Sequence, residues 1–364
     1  MHNGTVRVCV VGSGGREAAL ADVLGRDATE VLVSPGNPLI EGSVDIPPED
    51  LDADLFVIGP EAPLVDGLAD RLRAEGQLVF GPGVDGAQLE GSKAYMKGLL
   101  AEAGVPTARY GTFTEAAPAR AFLDTMAPPF VIKTDGLAAG KGVLVTDDLA
   151  EARNTVDDYL SGRAFGDAGQ TLVIEEGLVG SEVSVFAVCD GRRGVLLSPA
   201  QDFKRIGDGD TGPNTGGMGA YSPAPVVTPD VHARAMREII LPTVRGMEKD
   251  GIPFTGFLYA GLMIDPKGQI KTLEFNCRMG DPETQPILMR LKSDLLDVLA
   301  AAIDGKLDQI ELQWDRRTAL GVVMAAHGYP EAPRKGDAIN GLPQDADDAM
   351  VFHAGTVLDE AGVL

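Results

Sequence analysis

The sequence predicts a multidomain protein of mixed α/β and α+β class, for three reasons. Its 364 residues exceed what one ordinary core holds. The first hundred residues alternate apolar strand patterns ending in Gly or Pro with helical segments, which is typical of a parallel sheet. A compact α+β segment at about 112–186 is flanked by further apolar strand patterns, which indicates an inserted subdomain.

The predicted elements follow from hydrophobic periodicity and from the Gly and Pro residues that end each run. In the first unit, strands are predicted at 6–12, 30–36, 54–60 and 77–82, and helices at 17–25 and 65–76. The second unit begins with a helix at 94–104, and the inserted segment has strands at 130–134, 142–146 and 171–176. Beyond it we expect strands at 183–188, 195–198, 257–264 and 270–275, a long loop at 202–222, and helices at 231–251 and 291–305. A strand-rich unit starts at 318–326, and 351–357 is strand-like.

The chain is strongly acidic, with a net charge of −23 from 31 basic and 54 acidic residues. Such a surface repels nucleic acid and anionic membranes, so neither is expected as a partner. A phosphorylated substrate would therefore need local basic residues. The three cysteines, Cys9, Cys189 and Cys277, are widely spaced and odd in number, which favours a reducing, cytoplasmic location. We find no secretory signal and no apolar run long enough to span a bilayer.

Glu274 and Asn276 lie two apart on a predicted strand, so their side chains point to one face. A carboxylate and an amide oxygen suit a hard cation such as Mg²⁺. Arg278 continues the alternation, and a guanidinium beside a metal suits phosphate charge. The alternative is a half-exposed strand whose polar residues face water.

A Gly-rich turn at 12–20 joins the first strand to the first helix. Its glycines let backbone N–H groups approach an anion at the helix N-terminus, where Arg16 could add a contact. Glu17 stands where the GxGxxG dinucleotide pattern requires glycine, so that pattern is not met. A turn that is Gly-rich only for steric reasons is an equal alternative.

Two further segments have the composition of a nucleotide site. The hairpin at 132–145 carries Lys133 and three glycines between two strands, which suits a lid over phosphates. It is not a Walker A loop, because Gly142 leads into a strand rather than a helix. In 174–185, Glu175 and the backbone near Leu178 could contact adenine, and Glu182 could accept ribose hydroxyls. The alternative is that these carboxylates are merely solvated.

The loop at 202–222 is dense in Gly, Asp, Lys and Arg, and a loop of this length is either functional or disordered. Asp202, Lys204 and Arg205 provide charges for a phosphorylated substrate, and residues 215–217 offer backbone donors. The four histidines show neither metal-ligand nor catalytic-triad spacing.

Taken together, the motifs resemble one family. They are GSGGRE, GPEAPLVDG, FGP, LEGSKAYMK, IKTDGLAAGKGV, DFKRIGDGDTGPNTGGMGAYSP and FNCRMGDPETQP, and they cover nearly the whole chain. The sequence resembles the glycinamide ribonucleotide synthetases, ATP-grasp ligases of purine biosynthesis. The resemblance implies an N-terminal α/β domain at 1–99, an ATP-grasp domain at 100–118 and 187–316, and a lid at 119–186. It also implies a β-rich C-terminal domain at 317–364, shorter than is usual in the family and so incomplete.

The resemblance also implies ligands and the residues that hold them. ATP would bind at Lys93, Lys133, Gly136, Gly140, Gly142, Glu175, Glu176, Leu178 and Glu182, with Mg²⁺ or Mn²⁺ at Glu274 and Asn276. Glycine and 5-phosphoribosylamine would bind at Gly14, Gly15, Arg16, Glu61, Asp202, Lys204, Arg205, Asn214, Gly216, Gly217, Met218 and Gly219. Arg278, Lys141 and Asp281 would be catalytic.

The implied reaction phosphorylates the carboxylate of glycine, and the amine of 5-phosphoribosylamine then attacks the acyl phosphate. The product is glycinamide ribonucleotide, and the enzyme would act as a monomer or weak homodimer. Three positions depart from the family pattern: Ala18 and Phe203 replace histidines, and Met279 replaces an aromatic residue or leucine. Two alternatives follow, a carboxylate–amine ligase of altered specificity and a non-catalytic nucleotide-binding protein.

Overall fold

The computed structural model describes residues 6–28, 30–136, 142–162, 170–343, 346, 348–359, 362 and 364. The N-terminal sheet is parallel and consists of β1 (Arg7–Gly12), β2 (Glu30–Pro35), β3 (Leu55–Ile58) and β4 (Val79–Phe80), in the order β2-β1-β3-β4. The strand order reverses at β1, so a crevice opens beyond the carboxyl ends of β1 and β3. Such a crevice is where open α/β sheets bind ligands.

Helices pack against this sheet: α1 (Gly15–Leu24), α2 (Glu61–Val65), α3 (Leu68–Ala74) and α4 (Val84–Gly91). A short 3₁₀ turn covers Pro48–Asp50. The helix predicted at 65–76 is confirmed as α3 but is shorter, because α2 ends at Val65 and α3 begins only at Leu68. Gly67 between them has a φ of +81°, a left-handed conformation that interrupts the helix.

The lid is an antiparallel sheet with its own small core. It contains β5 (Tyr110–Phe113), β6 (Phe130–Thr134), β7 (Val143–Thr146) and β8 (Leu172–Glu176), in the order β5-β8-β6-β7. Helices α6 (Ala116–Leu123) and α7 (Leu149–Leu160) bury Leu123 and Val156 against it. Strand pairing therefore groups 110–176 as one unit, whereas the sequence-based boundaries placed the lid at 119–186.

The next strands along the chain are β9 (Ser181–Asp190), β10 (Gly194–Leu196), β11 (Gln201–Asp202), β12 (Arg205–Gly207), β13 (Thr211–Asn214), β14 (Gly219–Ser222), β15 (Thr255–Ile264), β16 (Ile270–Asn276) and β17 (Ala319–Val322). The central antiparallel sheet has the order β10-β9-β15-β16. Strand β9 pairs along its whole length with β15, so residues 181–186 belong to this sheet and not to the lid.

The segment 202–222, predicted as a loop, contains short paired strands. β12 and β13 form a hairpin, and β14 pairs with both β11 and β17. The strand expected at 351–357 is wrong, since none of the described residues there is in a strand. This segment instead contacts the N-terminal unit, where the Thr356 hydroxyl accepts a hydrogen bond from the Asn37 side chain at 3.2 Å.

The remaining helices complete the core. They are α5 (Lys93–Ala103), α8 (Pro229–Arg234), α9 (Leu241–Lys249), α10 (Thr284–Arg290) and α11 (Leu295–Ile303), with a 3₁₀ turn at Leu307–Gln309. A π-helical segment, Ala235–Ile240, joins α8 to α9 just before Pro242, which lacks the N–H that a regular helix would use. Among the described residues, no helix has the length and apolar character needed to cross a membrane.

Candidate functional site

Strand β16 presents its polar side chains to the cleft between the lid and the central sheet. Glu274, Asn276 and the following Arg278 are half-buried, and they alternate with the buried Phe275 and Cys277. The side chains of Glu274 and Asn276 form no hydrogen bond or ion pair with a described residue. Their oxygens are therefore available to a cation.

Glu274 faces three lysines, Lys93, Lys133 and Lys204, which we call the lysine cluster. Burial raises the pKa of Glu274, but the charges of Lys204, Lys133 and Lys93 outweigh burial and lower the pKa overall. The carboxylate is therefore ionised at neutral pH. The cleft concentrates positive charge on a chain whose net charge is −23.

Each lysine of the cluster comes from a different element. Lys93 begins α5 and donates to the carbonyl oxygen of Gly136 at 2.9 Å, while burial lowers its pKa. Lys133 lies on β6. Lys204 pairs with Glu182, and its pKa is raised because Tyr259, Glu274 and other acidic neighbours outweigh the effect of burial.

The structure brings together groups that the sequence assigned to different ligands. The family resemblance implies that Lys204 and Asp202 line the phosphoribosylamine side and that Glu182 contacts ribose. Lys204 contacts Glu182, and its Nζ lies 4.0 Å from Asp202 Oδ2. These three side chains therefore form one charged wall beside Glu274.

Glu175 is buried beneath the cleft rather than open to it. Its Oε2 lies 2.7 Å from Lys97 Nζ and its Oε1 lies 2.9 Å from Lys133 Nζ. Both oxygens are thus engaged by lysines. The structure does not place this side chain where it could contact adenine, because only 2% of the residue is exposed.

The neighbouring connection from β8 to β9 is more accessible. The side chain of Glu176 accepts from Lys271 Nζ at 2.8 Å and from the Arg109 amide at 3.1 Å. Leu178 is half-buried, and its backbone forms no hydrogen bond with a described residue. The Leu178 backbone therefore has hydrogen-bonding groups to offer a ligand.

Arg278 links β16 to the N-terminal unit. Its Nε donates to Glu61 at 3.1 Å, and a terminal nitrogen donates to Glu90 at 2.6 Å. Glu90 also accepts from the Cys277 amide at 2.9 Å. Burial lowers the pKa of Arg278, but the two carboxylates outweigh it and raise the pKa, so the guanidinium stays charged.

The Gly-rich turn before α1 is already occupied by acidic side chains. The Gly14 amide donates to Glu17 Oε2 at 2.7 Å, and the Arg16 amide lies 3.4 Å from Asp281 Oδ2. The buried Arg16 side chain donates to Glu17 at 2.6 Å and to the Met279 carbonyl at 3.1 Å. Arg16 therefore holds the turn, and its guanidinium points inward. Gly15 packs tightly, since a Cβ there would lie 2.6 Å from Gln285 Nε2.

The segment 214–219 packs against the turn at Asp281 and Pro282. Gly217 has a φ of +125°, and a Cβ there would lie 2.4 Å from Pro282 Cδ. The Gly216 amide donates to the Tyr329 hydroxyl at 3.0 Å, and the Met218 amide donates to the Phe203 carbonyl at 2.7 Å. Gly219 is buried in β14.

Several predicted positions are exposed or lie outside the described residues. Arg205 and Asn214 are exposed partners in the β12–β13 hairpin. Gly140 and Lys141 lie outside the described residues. The backbone of Gly142 accepts from the Thr134 amide at 2.8 Å, which closes the base of the lid hairpin.

The two substituted histidine positions differ in their surroundings. Ala18 is buried in α1, and Phe203 is 48% exposed. The ring centroid of Phe203 lies 5.9 Å from that of Tyr221.

Sequence reasoning missed Glu90, Lys97 and Glu283. Glu283 is buried, and its Oε1 accepts from Ser184 Oγ at 3.0 Å. Burial, followed by the charge of Asp202, raises the pKa of Glu283 to about 7. All three lie inside quoted motifs, Glu90 and Lys97 in LEGSKAYMK and Glu283 in FNCRMGDPETQP, but nothing in their spacing signals a partner.

Two antiparallel sheets facing each other across a lysine-lined cleft define the ATP-grasp class. The crystal structure of a biotin carboxylase–β,γ-ATP complex from Campylobacter jejuni shares this fold, with a TM-score of 0.70 at 15% identity over 94% of this chain and 81% of that chain. The ATP-grasp (A) domain model of phosphoribosylglycinamide synthetase matches residues 91–284. The N domain model matches 6–90 and the C domain model matches 319–364. The chain belongs to the phosphoribosylglycinamide synthetase family.

Individual relatives agree with this family. The chain is 57% identical to a phosphoribosylamine–glycine ligase of Ralstonia nicotianae, over 98% of this chain and 88% of the relative. It is 54% identical to the enzyme of that name from Escherichia coli O157:H7, over 97% and 86%. The crystal structure of the phosphoribosylamine–glycine ligase from Thermotoga maritima superposes with a TM-score of 0.87 at 34% identity, covering 98% of this chain and 89% of that chain.

Proposed function

We propose that this protein is a phosphoribosylamine–glycine ligase. It joins glycine to 5-phosphoribosylamine at the expense of ATP and yields glycinamide ribonucleotide, ADP and phosphate. The observation that carries this proposal is the convergence of Lys93, Lys133 and Lys204 on Glu274, in the cleft of a chain that belongs to this family. A positive cluster beside an ionised carboxylate suits a triphosphate with its metal ion.

The nucleotide lies between the lid and the central sheet. Lys93, Lys133 and the hairpin backbone at Gly136 and Gly142 hold the phosphates, with Gly140 and Lys141 on the same hairpin. The backbone of Leu178 meets the adenine edge, and Glu182 accepts the ribose hydroxyls. Glu176 borders the adenine, and Glu175 acts from below through Lys133.

Glu274 and Asn276 bind a divalent cation, Mg²⁺ or Mn²⁺. Their oxygens have no protein partner among the described residues, which fits a metal ligand set. No group of three acidic, His or Cys side chains in the described chain could hold a metal alone. This fits a magnesium ion that takes its other ligands from phosphates and water. When bound, the cation neutralises phosphate charge.

The substrates approach from the N-terminal side of the cleft. Gly14, Gly15 and Asp281 line the crevice at β1, with the segment 214–219 facing them. Glu61 lines the same side. Asp202, Lys204 and Arg205 provide further polar contacts, and Arg16 shapes the turn from within.

The chemistry proceeds by two substitutions. A carboxylate oxygen of glycine attacks the terminal phosphorus of ATP, and ADP leaves. The amine then attacks the carbonyl carbon, the bond from carbon to the phosphate oxygen breaks, and a proton is released. Arg278, held by Glu61 and Glu90, stabilises the negative charge that develops. Lys141 and Asp281 are the further catalytic residues of this proposal. Positioning and electrostatics then carry the catalysis.

An isotope experiment tests this route. Glycine labelled with ¹⁸O in its carboxylate is incubated with ATP, Mg²⁺ and 5-phosphoribosylamine, and the phosphate is analysed by mass spectrometry. Transfer of one ¹⁸O atom to phosphate together with formation of glycinamide ribonucleotide is expected. Unlabelled phosphate would refute the glycyl phosphate. Turnover with another acid or amine, but not with this pair, would assign a different specificity.

A further inference from the structure

Lys97 is a fully buried charge that the proposed reaction does not use directly. It lies one helical turn after Lys93 on α5, and none of its side chain is exposed. Its Nζ lies 2.7 Å from Glu175 Oε2 and donates to Thr107 Oγ1 at 2.7 Å. A buried ammonium is costly unless it is paired, so this arrangement requires both partners.

Glu175 lies between two lysines that face opposite sides. Lys97 is on the buried side, and Lys133 is on the cleft side at 2.9 Å. With one oxygen engaged by Lys97, the carboxylate has only its other oxygen to offer Lys133. The Lys133 ammonium also donates to the Leu273 carbonyl, so it keeps one donor that can reach a ligand in the cleft.

The same network reaches the strand that carries the proposed metal ligands. Thr107 Oγ1 donates to the Thr272 carbonyl at 2.8 Å, and Lys133 Nζ donates to the Leu273 carbonyl at 3.4 Å. Both carbonyls directly precede Glu274 along β16. The Lys97–Glu175 pair thus connects α5, the lid strands β6 and β8, and β16.

We propose that Lys97 is a positioning residue for the ATP phosphates, acting through Glu175 on the ammonium of Lys133. The inference rests on the proposed role of Lys133 in binding phosphate. Without Lys97, the Glu175 carboxylate turns wholly to Lys133 and draws its ammonium away from the cleft. Affinity for the nucleotide then falls, while the glycine site is unaffected.

The test compares Lys97→Met and Lys97→Arg with the control Lys306→Met. Lys306 pairs with Asp304, and its side chain is 55% exposed. Binding of a non-hydrolysable ATP analogue with Mg²⁺ is measured by calorimetry, and KM for ATP and glycine by steady-state kinetics. Lys97→Met should weaken analogue binding roughly tenfold or more, as loss of a supporting residue behind a ligand typically does. Lys97→Arg should recover part of this loss, and KM for glycine should stay constant.

A double variant keeps the test decisive if Lys97→Met does not fold. Lys97→Met with Glu175→Gln removes both buried charges, so no unpaired carboxylate remains. We expect this variant to fold and to bind the analogue about as well as the unaltered protein, because no carboxylate remains to draw Lys133 from the cleft. Unchanged analogue binding in Lys97→Met, a tenfold or larger loss in the double variant, or an equal rise in KM for glycine would overturn the inference. Failure of the unaltered protein to make product would instead refute the ligase function, because analogue binding is measured without turnover.

Discussion

Glu274 is the residue on which the electrostatics of the cleft converge. Burial alone would raise its pKa, yet the pKa is lowered by Lys204, Lys133 and Lys93. The three ammonium groups around this ionised carboxylate place positive charge where the phosphates of a bound polyanion would meet it. The two features together, a free metal-ligating oxygen and surrounding cations, distinguish this residue from an ordinary solvated glutamate.

Replacing Glu274 with Gln should lower kcat roughly 100-fold or more, since a charged group next to the transferring phosphate is removed. The Mg²⁺ concentration needed for half-maximal rate should also rise. Both are measured by ADP release across a Mg²⁺ titration. Glu248→Gln, which alters an exposed pair with Arg192, is the control. A Glu274→Gln variant with an unchanged Mg²⁺ requirement would exclude this residue as a metal ligand.

A second prediction concerns Arg278, whose planar guanidinium contacts two carboxylates, Glu61 and Glu90. A lysine cannot reproduce both contacts. Arg278→Lys should therefore reduce kcat roughly 100-fold with little effect on ATP affinity. Arg317→Lys, at an exposed pair with Asp315, serves as the control. A comparable drop in ATP affinity would mean that Arg278 serves binding and not the developing charge.

Glu283 makes stability depend on pH. Its pKa is raised from the ordinary value of 4.5 to about 7, so between these values the folded state holds a proton that the unfolded state has lost. The free energy of unfolding therefore falls by at most about 3 kcal/mol as pH rises through this window. Above the window it no longer changes with the ionisation of Glu283. Urea denaturation at pH 5 and pH 8 checks this. Glu283→Gln should flatten the dependence, and an identical slope in the variant would contradict it.

The sequence predicted which side chains share a face of one strand, but it did not predict the distant residues that contact them. Glu274 and Asn276 could be paired because strand side chains alternate with period two. Glu90 contacts Cys277 across 187 positions, and Lys97 contacts Glu175 across 78. Only the tertiary fold brings such residues together, so no local pattern signals them.

Among the elements, the segment 214–219 depends on close approach to the Asp281–Pro282 turn. Gly217 has a φ of +125° and no room for a Cβ beside Pro282. The positive φ and the contact with Pro282 both fix the backbone of this segment. That backbone carries the groups proposed to face the substrates.

Gly217→Ala should displace this segment and lower kcat/KM for 5-phosphoribosylamine at least about tenfold, because small misplacements at a site are costly. Gly209→Ala is a matched control in the same region. Gly209 also has a positive φ, +69°, but a Cβ there meets nothing within 4 Å. Steady-state kinetics on both variants provide the measurement. Equal effects would show that backbone strain alone, and not the contact with Pro282, is responsible.

Hydrophobic periodicity located the long strands of the sheets but not their breaks and pairings. The strands at β1, β6 and β15 follow directly from apolar runs. The break at Gly67 depends on a left-handed φ within an otherwise helical pattern. The hairpin β12–β13 was predicted as loop because its strands are short, polar and exposed, so no apolar alternation marks them.

The whole molecule combines a strongly acidic surface with a cleft in which lysine side chains are clustered. The chain carries a net charge of −23, yet Lys93, Lys133 and Lys204 converge from α5, the lid and the segment after β11. Three separate parts of the fold must assemble to create this cluster. Its presence favours an active ligase over a non-catalytic nucleotide-binding protein.

The most direct test of the central claim is ADP release measured with each substrate omitted in turn. The account predicts rapid ADP release only when ATP, Mg²⁺, glycine and 5-phosphoribosylamine are all present, with glycinamide ribonucleotide formed in equal amount. Lys133→Met should abolish this release by weakening nucleotide binding. ADP release that is independent of glycine or of 5-phosphoribosylamine, or its absence with the complete set, would contradict the account.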